Sequence, residues 1–237
     1  MATELLFFLR FTVSWKESSA TRNSQTIRGI GVCPVGPKPE PTWIRSPFIK
    51  RRDAIEATIE IEFLMRRCSQ CKQSFSLLVY EADDDIANSE IPEWKKSSWN
   101  MIKQVPGTRL YEGTDSKSKI WESINTESFK FRPMKGGFYI AIQEEGTCTF
   151  LLTMRIFYEK CPSSVTKLAR FPNTTSSAID DTPRKVTGRC IENSVPLSSS
   201  PTMYCSHQGK WYDIQGECVC KEGYMVDTAP RYCKSEY

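Results

Sequence analysis

The sequence predicts an all-β protein, an antiparallel β-sandwich or jelly roll followed by a small disulfide-rich region. Three observations lead to this prediction. Strand-like runs recur through about the first 160 positions, and no stretch of a dozen residues repeats apolar side chains at the helical period. In addition, half of the ten cysteines fall in the last 48 residues. We therefore expect any helices to be short.

Four runs are typical of strands. Residues 55–65 alternate between apolar and mostly charged side chains, which is the period of a half-buried strand. Its apolar face is expected to carry Ile59, Ile61, Phe63 and Met65. The runs at 75–82, 137–143 and 150–158 are rich in β-branched and aromatic residues. One face of the last run is expected to carry Leu152, Met154, Ile156 and Tyr158.

The composition is that of a globular chain and excludes several classes of protein. Of the 237 residues, 39% are hydrophobic and 25% are charged, and the mean hydropathy is −0.44. The net charge of +4 is too small to indicate nucleic-acid binding. No apolar run approaches the roughly 20 residues that span a bilayer. The run LLFFL at 5–9 is too short for a secretion signal and follows Glu4, so we do not predict one.

The cysteines indicate an oxidising compartment. Cys68 and Cys71 have the spacing of zinc ligands, but the chain has one histidine and no second pair at that spacing. Disulfides are therefore favoured, and they predict an extracellular or lumenal location. The number of cysteines leaves the connectivity open. One glycosylation sequon, at Asn173, agrees with the secretory route.

No pattern points to catalysis. His207 lies in the cysteine-rich part without an evident catalytic partner. The acidic residues at 81–85 follow a strand and lack the EF-hand pattern, which favours an exposed loop over a calcium site. Cys68 and Cys71 lie between two strands, which favours a structural bridge over a redox pair. We expect no enzyme activity in this chain, and no cofactor or metal.

Several motifs, taken in order, resemble the Eph receptor tyrosine kinases. The ligand-binding domain of that family is matched by TWIRSPFIKRR at 42–52, FLMRRC at 63–68, CKQSFSLLVYEAD at 71–83, INTESFKFRPMKGGFYIAIQEEGTC at 124–148 and LLTMRIFYEKCP at 151–162. The cysteine-rich region that follows is matched by FPNT at 171–174, GRC at 188–190, MYCSHQGKW at 203–211 and GECVCKEGY at 216–224. The resemblance is weakest before Gly31 and from about 84 to 120. This divergence predicts an invertebrate member.

The resemblance implies a domain order and a disulfide pattern. A jelly-roll ephrin-binding domain would occupy residues 1–160, a sushi-like module 161–218 and the start of an epidermal-growth-factor-like module 219–237. A shift toward cysteine, serine and proline after Cys161 independently predicts a boundary there. The implied pairs are Cys33–Cys148, Cys68–Cys71, Cys161–Cys205, Cys190–Cys218 and Cys220–Cys233. The two-residue loop between Cys68 and Cys71 is shorter than in the familiar receptors.

The function implied by the resemblance is ligand recognition between cells. The family binds ephrins on neighbouring cells by accepting a hydrophobic ligand loop into a channel at one end of the jelly roll. By matching residue to residue, this channel would be lined by the Cys33–Cys148 bridge, Val35, Leu64, Thr149 and Phe150. Arg66 would hold a ligand carboxylate with two charge-assisted hydrogen bonds. Without the family match, Arg66 would be interpreted as a surface charge at a strand end.

Signalling would follow from clustering. Receptors bound to arrayed ligands gain avidity, and the cysteine-rich region is expected to supply lateral contacts. The cytoplasmic tyrosine kinase that would respond in cell and axon guidance is not in this chain. The expected location is the extracellular face of the plasma membrane, as the ectodomain of a single-pass receptor. No nucleic-acid partner is expected.

Two alternatives belong to other functional classes. A jelly roll with a sushi-like module could be a secreted carbohydrate-binding or complement-like adhesion protein, with Trp94 and Trp99 beside Glu93 and Asn100 as the sugar platform. A redox enzyme could use Cys68 and Cys71. A count of free thiols separates the second alternative, because a purely structural set of five bridges leaves none.

Overall fold

The chain forms two compact units. The structure, a computed structural model, describes residues 10–11, 15–22, 25–33, 40–69, 71–88, 92–113, 120–176, 182–228 and 231–236. The sandwich unit comprises residues 3–52 and 57–157, and the cysteine-rich unit comprises residues 1–2, 53–56 and 158–237. No helix among the described residues has the length and apolar character needed to cross a bilayer.

The sandwich unit consists of short and medium strands. They are β1 Arg10–Phe11, β2 Lys16–Arg22, β3 Gln25–Val32, β4 Thr42–Arg45, β5 Ile49–Lys50, β6 Ala57–Arg66, β7 Ser74–Ala82, β8 Asn100–Pro106, β9 Leu110–Tyr111, β10 Asn125–Phe131, β11 Gly137–Glu144 and β12 Thr149–Phe157. Two 3-10 helices, η1 Lys96–Ser98 and η2 Trp121–Ser123, are the helical elements of three or more residues in its described part. The four predicted strands correspond to β6, β7, β11 and β12.

These strands form two sheets. The first sheet has the order β1-β4-β11-β7-β8, with β5 also paired to β11. The second sheet has the order β10-β6-β12-β3-β2, with β9 also paired to β6. All pairs are antiparallel except β6 with β9. The prediction of a jelly-roll β-sandwich is confirmed.

The core lies between the two sheets because their central strands alternate as the sequence predicts. The apolar face of β6 is fully buried, with Ile59, Ile61, Phe63 and Met65 at 0% exposure. From the first sheet, β7 and β11 contribute Phe75, Leu77, Val79, Phe138, Ile140 and Ile142 to the same cluster. Phe63 and Phe75 meet edge to face, with ring centroids 5.0 Å apart. Burial of these side chains supplies the main driving force for folding the unit.

Strand β12 departs from strict alternation. A β-bulge shifts its register on β6 between Leu151 and Thr153. Leu151 lies opposite Phe63 and is buried, while Met154 and Ile156 lie opposite Ile61 and Ile59. The prediction that Leu152 occupies the core face with Met154 is therefore wrong at this position, because the extra residue of a bulge changes which side chains face inward.

A second apolar cluster covers the other face of the first sheet. Its buried members are Trp43, Leu78, Ala82, Trp99, Tyr139 and Ala141. The Arg45 side chain is buried here, with its guanidinium carbon 5.3 Å from the Trp94 ring centroid and 5.2 Å from that of Tyr139. The Tyr139 hydroxyl donates to Asp85 at 2.6 Å, and burial with this bond raises its pKa to about 12. Asp85 thus connects the exposed acidic loop to the sheet.

The cysteine-rich unit is built from short ladders. Its strands are β13 Lys160–Cys161, β14 Ser164–Thr166, β15 Ala169–Phe171, β16 Thr174–Thr175, β17 Arg184–Thr187, β18 Arg189–Cys190, β19 Ser194–Pro196, β20 Thr202–Cys205, β21 Trp211–Gln215, β22 Cys218–Cys220, β23 Tyr224–Thr228 and β24 Arg231–Ser235. A small core contains Leu168, Ala169, Phe171, Met203, Cys218 and Cys233. A core of this size is too small to hold such short strands, which accounts for the cross-links.

All ten cysteines are in disulfides. The pairs are Cys33–Cys148, Cys68–Cys71, Cys161–Cys205, Cys190–Cys218 and Cys220–Cys233. These are the five pairs that the resemblance implied. No cysteine remains free, so none is available as the zinc ligand that the spacing of Cys68 and Cys71 had suggested.

Candidate functional site

A groove of about 480 Å³ lies beside the Cys33–Cys148 disulfide in the sandwich unit. Its lining is Lys16, Ser18, Gly31, Val32, Cys33, Leu64, Tyr111, Trp121, Cys148, Thr149 and Phe150. This lining is mainly apolar and aromatic, with one cation and no carboxylate among its described members. Such a surface suits an apolar ligand segment and disfavours cationic ones.

Strand register brings three of the predicted residues to this groove. Phe150 of β12 lies opposite Leu64 of β6 on one side and Gly31 of β3 on the other. Thr149 precedes it, directly after the disulfide, and its side chain is 1% exposed. Leu64, Thr149 and Phe150 therefore all contribute to the lining. Val35, the fourth predicted lining residue, lies outside the described residues.

Two glycines in β3 make room for the Phe150 ring. A Cβ added to Gly31 would lie 2.6 Å from Phe150 Cδ2, and one added to Gly29 would lie 2.6 Å from Phe150 Cε1. Real Cβ atoms essentially never approach so closely, so the ring rests directly on the β3 backbone. The pair explains why a strand that contacts the groove carries glycine, which is otherwise unfavourable in strands.

Arg66 ends β6 beside the groove without being part of the lining. Its amide donates to the Cys148 carbonyl at 2.9 Å, which ties the strand end to the disulfide. Its side chain is exposed and lies against Gly113, where an added Cβ would be 2.2 Å from Nη2. The guanidinium is also close enough to Tyr111 to influence that hydroxyl. Arg66 therefore flanks the groove on the side of Tyr111.

Tyr111 and Trp121 are lining residues that the sequence did not reveal. The Tyr111 hydroxyl oxygen lies 3.8 Å from Cys148 Sγ. Burial raises the pKa of this hydroxyl, and the Arg66 guanidinium opposes the rise. Tyr111 belongs to the two-residue strand β9, and Trp121 begins the three-residue helix η2. Elements this short have no periodicity, so no sequence pattern could have singled out these residues.

The buried side chain of Asn125 holds β9 in place. Its Oδ1 accepts hydrogen bonds from the amides of Thr108 and Arg109, at 2.9 and 2.8 Å, and from the Thr108 hydroxyl at 3.0 Å. Its Nδ2 donates to the carbonyls of Arg109, Ser123 and Phe63. One amide thus links the chain before β9, the end of η2 and strand β6. Such a fully satisfied buried polar group fixes local geometry.

Glu144 shapes the turn that leads to Cys148. It is fully buried, and its carboxylate accepts hydrogen bonds from the amides of Gly146, at 2.9 Å, and Thr147. Burial raises the pKa of this carboxyl above its ordinary value of 4.5, and the two amide hydrogen bonds oppose the rise. This role could not be predicted from the sequence, because Glu144 lies among other acidic and amide residues at a strand end.

The structure disfavours the alternative sugar-binding site. Trp99 is 5% exposed, and its Nε1 donates to the Glu93 carbonyl at 2.8 Å, so it cannot form an exposed sugar platform with Trp94. Trp94 is itself half-buried, with its ring centroid 6.1 Å from that of Trp43. Cys68 and Cys71 are bonded to each other, and the Gln73 side chain donates to the Cys68 carbonyl at 2.7 Å.

Comparison with known proteins finds one matching family model for the part of the chain that contains the groove and another for the cysteine-rich part. A family model described as "Ephrin receptor ligand binding domain" matches residues 3–161, and one described as "Ephrin cysteine rich domain" matches residues 162–220. The chain is 33% identical over 219 residues to ephrin type-B receptor 2 of Gallus gallus, which is 89% of this chain and 22% of that protein.

Two further relatives give the same picture. Ephrin type-B receptor 3 of Homo sapiens is 31% identical over 229 residues, covering 93% of this chain and 22% of the receptor. Ephrin type-B receptor 1-A of Xenopus laevis is 34% identical over 224 residues, covering 90% and 22%. The chain therefore spans less than a quarter of the length of these relatives.

The two β3 glycines should respond differently to alanine. At Gly29, the added Cβ also meets the Leu151 carbonyl oxygen at 2.5 Å, a backbone atom that cannot yield without distorting the ladder. At Gly31, the nearest obstacle is the Phe150 ring, which can move. We expect Gly29→Ala to lower the free energy of unfolding by about 1–3 kcal/mol and Gly31→Ala by less. Urea titration of both variants measures this, and equal losses would contradict the packing described.

Glu144 should give stability a specific pH dependence. Because its pKa is raised in the folded state, the folded protein binds the proton more readily than the unfolded chain, so its contribution to stability is lost as pH rises through that pKa. Relative to Glu144→Gln, which does not titrate, the free energy of unfolding should rise on acidification by at most about 1.4 kcal/mol per pH unit. This rise in the free energy of unfolding should level off below pH 4.5, the ordinary pKa of the carboxyl. Denaturant titrations across this range test it, and a fall relative to the variant would refute it.

Proposed function

The chain belongs to the ephrin receptor family, and from this membership we propose that it is the ephrin-binding part of a receptor ectodomain. The observation that carries the proposal is the match to the ephrin receptor ligand binding domain over residues 3–161, within which the groove lies. The two matching family models are a ligand-binding and a cysteine-rich domain, and we propose no enzyme activity for this chain. Five disulfides agree with an extracellular location.

The groove would take an apolar loop of the ligand. Phe150, which is half-buried, supplies surface against which apolar side chains can be buried, and Tyr111 and Trp121 add aromatic contact. Leu64 and Val32 complete the lining but are themselves only 4% and 3% exposed. We also propose Val35, which lies outside the described residues, as a ligand contact. Recognition energy in such interfaces concentrates in a few anchors that fill a pocket, so the groove would account for most of the affinity.

Arg66 would supply the polar part of recognition. A guanidinium can hold a carboxylate with two parallel charge-assisted hydrogen bonds. Arg66 lies next to the groove, beyond Tyr111, so a ligand acid adjacent to the apolar loop could reach it. Lys16 adds a second positive charge in the lining. The ligand that fits is therefore an apolar segment with an acidic neighbour.

Beyond binding, the proposal includes the consequences that the family suggests. Ligands held on a neighbouring cell would gather receptors, with lateral contacts through the cysteine-rich unit, and a cytoplasmic tyrosine kinase outside this chain would respond in cell and axon guidance. The chain would lie at the extracellular face of the plasma membrane. We also propose the domain limits 1–160, 161–218 and 219–237, the last two as sushi-like and epidermal-growth-factor-like modules.

Binding of the purified chain to immobilised ephrin ectodomains tests the function. We expect saturable binding to at least one of them, weakened about 30-fold or more by Arg66→Glu, because a carboxylate left without its partner costs at least about 2 kcal/mol. Lys103→Glu is the matched control, since Lys103 is exposed on β8 of the other sheet and takes the same charge reversal. It should bind as the unaltered chain does.

The outcomes separate the function from the site. Circular dichroism and thermal unfolding first establish that Arg66→Glu is folded. Absence of binding to every ephrin tested would overturn the proposed function. Binding unaffected by Arg66→Glu would leave the function and remove Arg66 from the site.

The sequon makes a separate prediction. Asn173 is exposed, with its Oδ1 accepting from the Ser163 amide at 2.7 Å, and Thr175 is buried with its hydroxyl bonded to Asp53. We expect chain secreted from animal cells to carry one glycan at Asn173. Peptide N-glycosidase should then increase its gel mobility, and Asn173→Gln should abolish that shift. An unchanged shift in the variant would place the glycan elsewhere.

A further inference from the structure

Arg66 lies beside residues 110–113, which belong to a segment that the family resemblance covers only weakly. Arg66 ends a strand with its side chain exposed. A free arginine in this setting samples many rotamers, and fixing them on binding weakens affinity. A side chain held in place before the ligand arrives avoids that loss. Whether the Arg66 side chain is held in this way depends on the residues that it contacts.

The backbone of residues 110–112 is fastened alongside Arg66. Strand β9 pairs in parallel with the end of β6, placing Leu110 beside Met65 and Tyr111 beside Arg66. The ion pair of the Arg67 side chain with Glu112 is exposed and adds little, but the Arg67 amide donates to the Tyr111 carbonyl at 2.9 Å. Together with the Asn125 hydrogen bonds before it, this fixes the segment that faces the Arg66 side chain.

Gly113 then gives the guanidinium a surface to lie on. A Cβ at this position would be 2.2 Å from Nη2, 2.7 Å from Cζ and 2.9 Å from Nε. Three atoms of the planar group therefore lie within the space that any side chain at 113 would occupy. The Gly113 backbone is not in the left-handed region, so alanine is conformationally allowed there. Glycine at 113 thus leaves room for the Arg66 guanidinium in this orientation, and a side chain there would displace it.

Tyr111 connects this arrangement to the groove. Its ring belongs to the lining, its hydroxyl is close to Cys148 Sγ, and the Arg66 charge acts on that hydroxyl. The ring thus lies between the apolar surface and the cation. The position of Tyr111 therefore sets the position of the Arg66 guanidinium relative to the apolar lining of the groove.

We propose that Gly113 and Tyr111 are positioning residues, which hold the Arg66 guanidinium in one orientation at the edge of the groove before ligand binds. The consequence for binding rests on the function proposed above, whereas the held orientation is a property of the free chain. Residue 113 sets the strength of the acid contact without touching the ligand. Any larger side chain there weakens it.

The free chain provides the first test. In protein labelled with ¹⁵N arginine, the Arg66 Nε–Hε order parameter should be high, and it should fall in Gly113→Ala. The matched control is Glu112→Ala, which alters the neighbouring residue and removes its ion pair with Arg67. It should leave the Arg66 signal unchanged. Equal mobility of Arg66 in the unaltered chain and in Gly113→Ala would overturn the proposal, whether or not an ephrin binds.

A double-mutant cycle provides the second test, using an ephrin ectodomain that binds the unaltered chain. Gly113→Ala should weaken binding about threefold to tenfold. In an Arg66→Ala background it should have no further effect, because there is no guanidinium left to position. The same loss in both backgrounds would show a merely structural effect and refute the positioning role. Failure of every ephrin to bind would count against the proposed function, and the free-chain test would still decide this one.

Tyr111 has its own signature. Tyr111→Phe retains the ring and should keep Arg66 ordered, whereas Tyr111→Ala should free it. In the unaltered chain, Arg66 lowers the pKa of the Tyr111 hydroxyl relative to what burial alone would give. Arg66→Ala should therefore raise that pKa further, measured by ultraviolet titration against Tyr111→Phe. A pKa of Tyr111 that does not respond to Arg66→Ala would contradict the proximity on which the proposal depends.

Discussion

The β-bulge in β12 is the constraint on which both the core and the groove depend. In strict alternation, Phe150 would share a face with Met154 and Ile156. The register shift between Leu151 and Thr153 breaks that relation, so Met154 and Ile156 face the core while Phe150 faces the groove. Strand β12 thus contributes side chains both to the core and to the lining of the groove. Without the extra residue, either Phe150 and Leu151 would exchange faces or the core would lose Met154 and Ile156.

The groove is fixed by different interactions from the sandwich. The sheets are held by ladders of backbone hydrogen bonds and by the apolar layer between them. At the groove, single side chains do this work: Asn125 holds the segment before β9, Glu144 holds the turn before Cys148, and Gly113 admits Arg66. Each acts on a stretch too short to form its own ladder.

The sequence predicts the scaffold well because burial imposes a period. The face of β6 from Ile59 to Met65 and the apolar runs of β7 and β11 show the alternation that a half-buried or buried strand requires. Leu64, Thr149 and Phe150 reach the groove as the family resemblance implied. Tyr111, Trp121 and Asn125 escaped prediction because their roles arise from contacts with positions far apart in the chain. Glu144 escaped because its bonds to the next turn leave it indistinguishable in sequence from the acidic and amide residues around it. The bulge also escaped, because one inserted residue leaves no compositional mark.

The Cys33–Cys148 disulfide has a mechanical consequence. Cys33 follows β3 directly, Cys148 precedes β12 directly, and these two strands pair beside the groove. Under the function proposed above, a ligand held on another cell would pull on this end of the ladder as the cells move apart. Two strands held only by hydrogen bonds would peel open from that end, one bond at a time. The covalent bridge prevents peeling at its first step, so tension is shared along the whole ladder and the groove keeps its shape under load.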